Sequence, residues 1–218
     1  MKSYDVPHKG LRNALSQMQL LAGKTDYSDQ NEVEHLYQFG EDVFKILNIH
    51  AADENEITLA ELEQRCNGCS RHDLEDHEQI HAAQDKLEKL LSRIYTNSKT
   101  GHDVSDDGEE FYLQFSEFHA NYLAHTAEEE RVTQAMLWQY FTDEELASHR
   151  RKIMAKNPPQ TLLIWFRFVL PAQSHKERVG LLTGFKKMAS ETFFRDGMLV
   201  IKQVLTEREF DELNKALV

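Results

Sequence analysis

The chain has 218 residues, of which 40% are hydrophobic, enough for one sizeable domain with an appendage and an ample core. Its formal net charge of −12 argues against a nucleic-acid partner, since phosphate binding needs clustered Lys and Arg to displace counterions. The most apolar stretch, Leu162 to Leu170, carries Arg167 and is far short of the roughly 20 residues of a spanning helix, so no membrane association is expected; two cysteines and an amino terminus without an apolar segment lead to an expected cytoplasmic location.

Only nine Gly and four Pro punctuate the chain, and β-branched alternating runs are absent, so an all-α protein is expected. A first helix opens at Pro7, continues through Leu11, Leu15, Met18 and Leu21, and ends at Gly23. A second follows Ser28 and Asp29, either of which can cap it, and runs through Leu36, Phe39, Val43 and Leu47 to about Leu62. A third starts near Ser70 and extends to Ile94; the polar stretch from Thr96 to Asp103 reads as a loop. The fourth covers about Glu109 to Phe141, after which Thr142 to Glu145 caps a short fifth. Asn157-Pro158-Pro159 then breaks the chain, and a further group of helices follows around Trp165, Leu181, Phe185, Phe193, Val200 and Leu213. The expected division is a four-helix bundle over 1–155 and a helical extension over 156–218 that packs on the bundle or on a partner.

Potential metal ligands fall on these helices in a pattern. His50 and Glu54 lie on the second, His77 and His81 on the third, and His125 and Glu129 on the fourth, while His8 sits in the first turn of the first. Residues four apart on a helix differ by about 40° around the axis, so each pair points one way. In an up-down-up-down bundle the start of the first helix is level with the end of the second, the start of the third and the end of the fourth, which puts all seven residues in one layer. Five imidazoles and two carboxylates are too many donors for one tetrahedral zinc and suit a dinuclear site. The Glu-x-x-His spacing of ferritin-like di-iron bundles is not the spacing found here.

His8, His50-x-x-x-Glu54, His77-x-x-x-His81 and His125-x-x-x-Glu129, with HKGLR around His8 and AEEERVTQAMLWQYFTDEEL after His125, resemble the hemerythrin-like (HHE cation-binding) family over about residues 4–155. The resemblance implies an up-down-up-down four-helix bundle enclosing two non-haem iron ions bridged by two carboxylates and an oxo or hydroxo group. One iron would take His77, His81 and His125, the other His8 and His50, with Glu54 and Glu129 as bridges and an open position for O2 or another small diatomic. Oxygen carriers of this family place the last carboxylate five residues after its histidine, where Glu130 stands; regulatory relatives use the four-residue step of Glu129. The C-terminal third resembles extensions of bacterial members and of eukaryotic iron-sensing relatives.

These features imply a di-iron protein that binds O2 or senses oxygen, iron or a diatomic, more a binding protein than an enzyme, with a protein partner or a second copy as what the C-terminal helices would meet. A di-iron oxidase or peroxidase-type enzyme and a helical interaction module are the alternatives. Cys66-Asn67-Gly68-Cys69 has the CxxC spacing that serves metal or redox chemistry, but no second such pair exists and structural or incidental use is expected. His35 and His119 fall outside the ligand layer by position along and around their helices.

Overall fold

The computed structural model describes Met1 to Leu217. Helices dominate, and no strand occurs among the described residues, so the protein is all-α. No helix among them is long and apolar enough to cross a membrane. The chain forms two compact units: Met1–Asp5 with Ala14–Lys156, and Val6–Asn13 with the chain from Asn157 onward.

The first unit is built on four long segments. Helix α1 spans Asp5–Lys24, with Ala14, Leu15 and Met18 buried at helical spacing. Asp29 starts α2, Gln30–Asp53, its Oδ1 accepting the Asn31 N–H at 2.8 Å. A π-helical stretch, Glu54–Leu59, continues α2 into α3, Ala60–Arg65. Helix α4 runs Arg71–Lys99, and α5, Ser105–Glu128, passes through a second π-helical stretch, Glu129–Thr133, into α6, Gln134–Tyr140. Helix α7, Asp143–Lys156, closes the unit.

Contacts between neighbouring helices set their directions. Between α1 and α5, Gln19 donates to Ser116 and Gly23 lies on Tyr112. Between α2 and α4, Gln84 donates to the Phe44 carbonyl while Tyr37 stacks on Tyr95 at 4.1 Å. Between α4 and α5, Arg93 pairs with Asp107 and Asp73 meets Thr133. In each case one number rises as the other falls, so neighbours run antiparallel, the up-down arrangement that short connections favour. Gly40 permits a close approach: a Cβ there would strike Leu91 and lie 2.9 Å from Met18 Cε.

The helices are longer than their composition suggests. Thr96 to Lys99, read as loop because polar, form the last turn of α4, which ends at Thr100 and Gly101; Gly101 has φ 77°, the left-handed conformation that glycine adopts at a helix end. Helix α5 starts at Ser105 rather than Glu109, with Asp103 Oδ1 accepting the Ser105 N–H at 3.0 Å. At the α3–α4 turn Cys66 and Cys69 form a disulfide around Gly68, and the Glu63 carboxylate accepts from Gly68 N and Ser70 Oγ, both at 2.6 Å.

In the second unit α8, Pro159–Val169, has proline in its first turn, where its missing N–H costs nothing. Helices α9, His175–Met188, α10, Glu191–Val204, and α11, Glu207–Ala216, open on side-chain caps at Ser174, Ser190 and Thr206, equally spaced along the chain. Phe166, Val169, Leu182, Phe185, Ile201, Leu205 and Leu213 form the core, with Phe166 edge-on to Phe185 at 4.9 Å. Buried Arg178 donates to the Leu170 carbonyl at 2.7 Å and to Glu209 at 2.8 Å. The Val6–Asn13 segment joins this unit through Asn13, which donates to the Phe168 carbonyl, and Lys9, which pairs with Glu177.

The Lys9 and Ser174 hydrogen bonds hold the Glu177 carboxyl at about 2, and those of Thr206 and Arg178 hold Glu209 at about 2, both below the ordinary 4.5. A depressed carboxylate stabilises the fold above its unfolded value, so this contribution is expected to be complete above about pH 4.5 and to be lost as pH falls toward 2. Urea unfolding followed by circular dichroism should show that decline, and it should be shallower in E177Q/E209Q. At neutral pH, S174A and T206A should each cost about 1 kcal/mol.

Candidate metal centre

Successive turns of α2, α4 and α5 send imidazoles and carboxylates into one buried layer of the first unit. His50, Glu54, His77, His125 and Glu129 are all less than a tenth exposed. Glu54 is set between two imidazoles, its Oε1 3.1 Å from His50 Nε2 and its Oε2 3.5 Å from His77 Nε2. Glu129 repeats the motif: Oε1 lies 3.5 Å from His77 Nε2 and Oε2 3.4 Å from His125 Nε2. The two Nε2 atoms of His77 and His125 face each other at 3.1 Å. One ligand atom each from His50, Glu54 and Glu129, and one each from His77, His125 and Glu129, lie within 4.8 Å of one another.

Both π-helical stretches begin at a carboxylate of this layer. Beyond Glu54 the buried positions are Thr58, Leu59 and Leu62; beyond Glu129 they are Thr133, Gln134 and Leu137, so Thr58 and Leu62, and Thr133 and Leu137, follow their carboxylate in two steps of four. On a regular α-helix two such steps drift by about 80°. The wider π turn absorbs the drift, so each helix keeps one face inward both through the polar layer and in the apolar layer beyond it, where Leu62 and Leu137 pack with Tyr4, Phe141 and Leu146. The turn also lets consecutive residues serve one histidine: Glu54 faces His77 Nε2, and Asn55 Oδ1 accepts from His77 Nδ1 at 2.6 Å. On the layer's other side lies an aromatic ladder of α5, from Phe115 through Phe118 to Tyr122, whose ring meets His125 edge-on at 6.0 Å.

The remote nitrogens are held as those of metal-ligating histidines are, by oxygen acceptors that fix the tautomer and leave Nε2 facing inward. Asn55 does this for His77, and Asp76 Oδ2, 3.4 Å from His125 Nδ1, does it for His125. Burial would lower the His77 pKa, but its hydrogen bond to Glu129 and the charges of Glu54, Glu129 and Asp73 overcome it and raise the value. Burial, then the charges of Glu54 and Glu129, push the Tyr4 and Tyr122 phenols far up, so both stay protonated beside the layer. Among the described residues no Lys or Arg of this unit is buried. A layer of carboxylates and imidazoles without a buried fixed cation is chemically suited to a metal cation.

The predicted residues do not all arrive here. His81 is turned outward, its side chain 64% exposed and 3.8 Å from Asp85. The inward stripe of α4 steps from Asp73 to His77, then to half-buried Ile80 and Gln84, so the position after His77 lies three residues on and His81 falls beside the stripe. The inward neighbour of His77 at four residues is Asp73, which sequence reasoning missed. Its carboxylate is buried, accepts from Thr133 Oγ1 at 3.1 and 2.8 Å, and has its pKa raised chiefly by burial. Glu129 is buried and in the layer whereas Glu130 is half-buried. His8 is fully buried on the turn of α1 that groups with the second unit. His35 is exposed and His119 half-buried.

No known family profile matches the chain. Curated relatives are the F-box/LRR-repeat protein 5 of Mus musculus, 27% identical over 160 residues that make up 72% of this chain and 22% of the relative, and its counterparts in Pongo abelii, 29% identical over 140 residues (63% and 19%), and Salmo salar, 28% identical over 141 residues (63% and 19%). The chain thus spans about a fifth of the length of the curated relatives it matches.

Metal retained after dialysis should fall sharply in H77A, H125A and E129Q and stay at the wild-type level in H81A and E130Q. Removing an outer acceptor in N55A should weaken binding by about 10- to 100-fold, read by competition with a chromophoric chelator.

Proposed function

We propose that the first unit is a hemerythrin-like non-haem di-iron domain that couples iron occupancy, and the binding of O2 or a related diatomic, to the packing of its helices. The observation that carries this reading is the pair of buried carboxylates, each set between two imidazoles: Glu54 between His50 and His77, Glu129 between His77 and His125. Two cations side by side can share such a donor set, and a single tetrahedral ion would leave donors over. In this reading His50, His77 and His125 would hold the iron together with the carboxylates of Glu54 and Glu129. Similarity to a segment of a much longer protein supports a domain-sized module rather than an activity of that protein's whole length.

Bound iron would supply the redox change and the open coordination position for a diatomic. The protein's own residues set the conditions. Asn55 and Asp76 fix the tautomers of His77 and His125, while Tyr122 and the apolar Tyr4, Leu62 and Leu137 layer exclude water on either side. The ligands stand on separate helices, and without a cation the buried carboxylates repel, so occupancy and helix packing are thermodynamically one equilibrium. That linkage is what a sensor needs.

Metal analysis with visible spectroscopy on aerobically purified protein tests the reading. About two irons per chain are expected, with a spectrum that bleaches on reduction and returns in air without steady O2 consumption. An iron-free protein or a single zinc per chain would refute it. Chelation should also destabilise the fold, by about 4 kcal/mol relative to protein with free metal at a thousand times Kd, and H77A should abolish that difference.

A further inference from the structure

Just outside the buried layer a second ligand cluster faces solvent. His72 Nε2 lies 3.0 Å from Glu128 Oε1 and 3.7 Å from Asp76 Oδ2, and the three residues each present a ligand atom within 4.8 Å of the others. His72 and Asp76 are four apart on the first turns of α4, so their side chains share a face; Glu128 ends α5. The side chains are 58%, 27% and 45% exposed, open to bulk water. The set differs from an ordinary acidic surface cluster in two respects. It contains an imidazole, and together with two carboxylates this makes a mixed N/O donor set that balances the charge of a divalent ion and favours first-row transition metals over Ca2+ or Mg2+. It also adjoins the buried layer through one atom: the Asp76 Oδ2 that faces His72 is also 3.4 Å from His125 Nδ1. Asp76 and Glu128 immediately precede His77 and Glu129.

We propose that His72, Asp76 and Glu128 form an open binding site for a divalent transition-metal ion, a capture site from which the ion passes inward beside His125. Water can complete the coordination sphere beside three protein donors, and on side chains open to solvent an ion exchanges more readily than in the buried layer, which suits capture rather than storage. The half-exposed Asp76 touches both His72 and a histidine of the interior, so a captured ion stands one side chain from the inner donors. The capture role rests on the reading of the buried layer as a metal centre; the existence of the outer site does not.

Titrating the apo protein anaerobically with Co2+, by calorimetry and visible absorption, tests both parts. Wild type should show tightly bound equivalents and one weaker equivalent. In H72A/E128Q, with helicity checked by circular dichroism, the weaker equivalent should be lost or bind at least about tenfold less tightly. The tight ones should fill more slowly by a similar factor but to the same extent. In H77A/H125A the weaker equivalent should survive while tight equivalents disappear. A double variant H72A/E128Q that binds its weaker equivalent with wild-type affinity overturns the outer site. One that loses this equivalent but fills its tight sites at the wild-type rate overturns the capture role. A wild type with no tight equivalents would refute the buried centre and with it the capture role, and the weaker equivalent would still decide the outer site.

Discussion

The first unit is organised around negative charge in its interior. Glu54, Glu129 and Asp73 are each less than a tenth exposed, and moving a carboxylate out of water costs several kcal/mol unless opposite charge and hydrogen bonds compensate. No buried lysine or arginine of the unit, among the described residues, supplies that compensation. Their neighbours include imidazoles at 3.1 to 3.5 Å and the Thr133 hydroxyl. A layer built this way has two means of neutralising itself, by taking up protons on its histidines or by taking up metal cations. Metal fits this layer, because Asn55 and Asp76 engage the remote nitrogens of His77 and His125 and leave their Nε2 atoms inward.

That demand explains the arrangement of the apolar layers. The aromatic ladder of α5 and the Tyr4, Leu62, Leu137 cluster lie on either side of the ligands and remove water from them. Dehydration strengthens every electrostatic interaction inside the layer and raises the cost of leaving it uncompensated. It also keeps Tyr4 and Tyr122 protonated, so the phenols beside the ligands add no further negative charge.

Much of this was readable in the sequence, for a physical reason: amphipathic periodicity and i, i+4 pairing are local properties. The all-α class, a helix start at Ser28-Asp29, the break at Asn157-Pro158 and the convergence of His50, Glu54, His77, His125 and Glu129 all follow from local residue chemistry, helical spacing and antiparallel alternation. The failures arise where the regular helix is too simple. His81 has the right spacing from His77, yet the inward stripe of α4 alternates three- and four-residue steps, and only the packing of neighbours decides which step falls where. Asp73 carries no motif and is identified only by its burial and by Thr133 opposite. The polar run after Thr96 is helical because composition alone does not end a helix, and glycine at 101 does.

The two π turns bear on how the sequence can vary. Each places one residue more than an α-helix would between the ligand layer and the apolar layer beyond it. Deleting one residue within 54–59 or 129–133 would let that stretch close into regular α-helix with Leu62 or Leu137 still facing the layer that keeps the ligands dry, whereas a deletion in the regular α-helix between the ligands and that layer would rotate everything beyond it by about 100°. The two π turns are thus the places on the ligand-bearing helices where the loss of one residue can be absorbed, and elsewhere along them length is as much a part of the site as the side chains they carry.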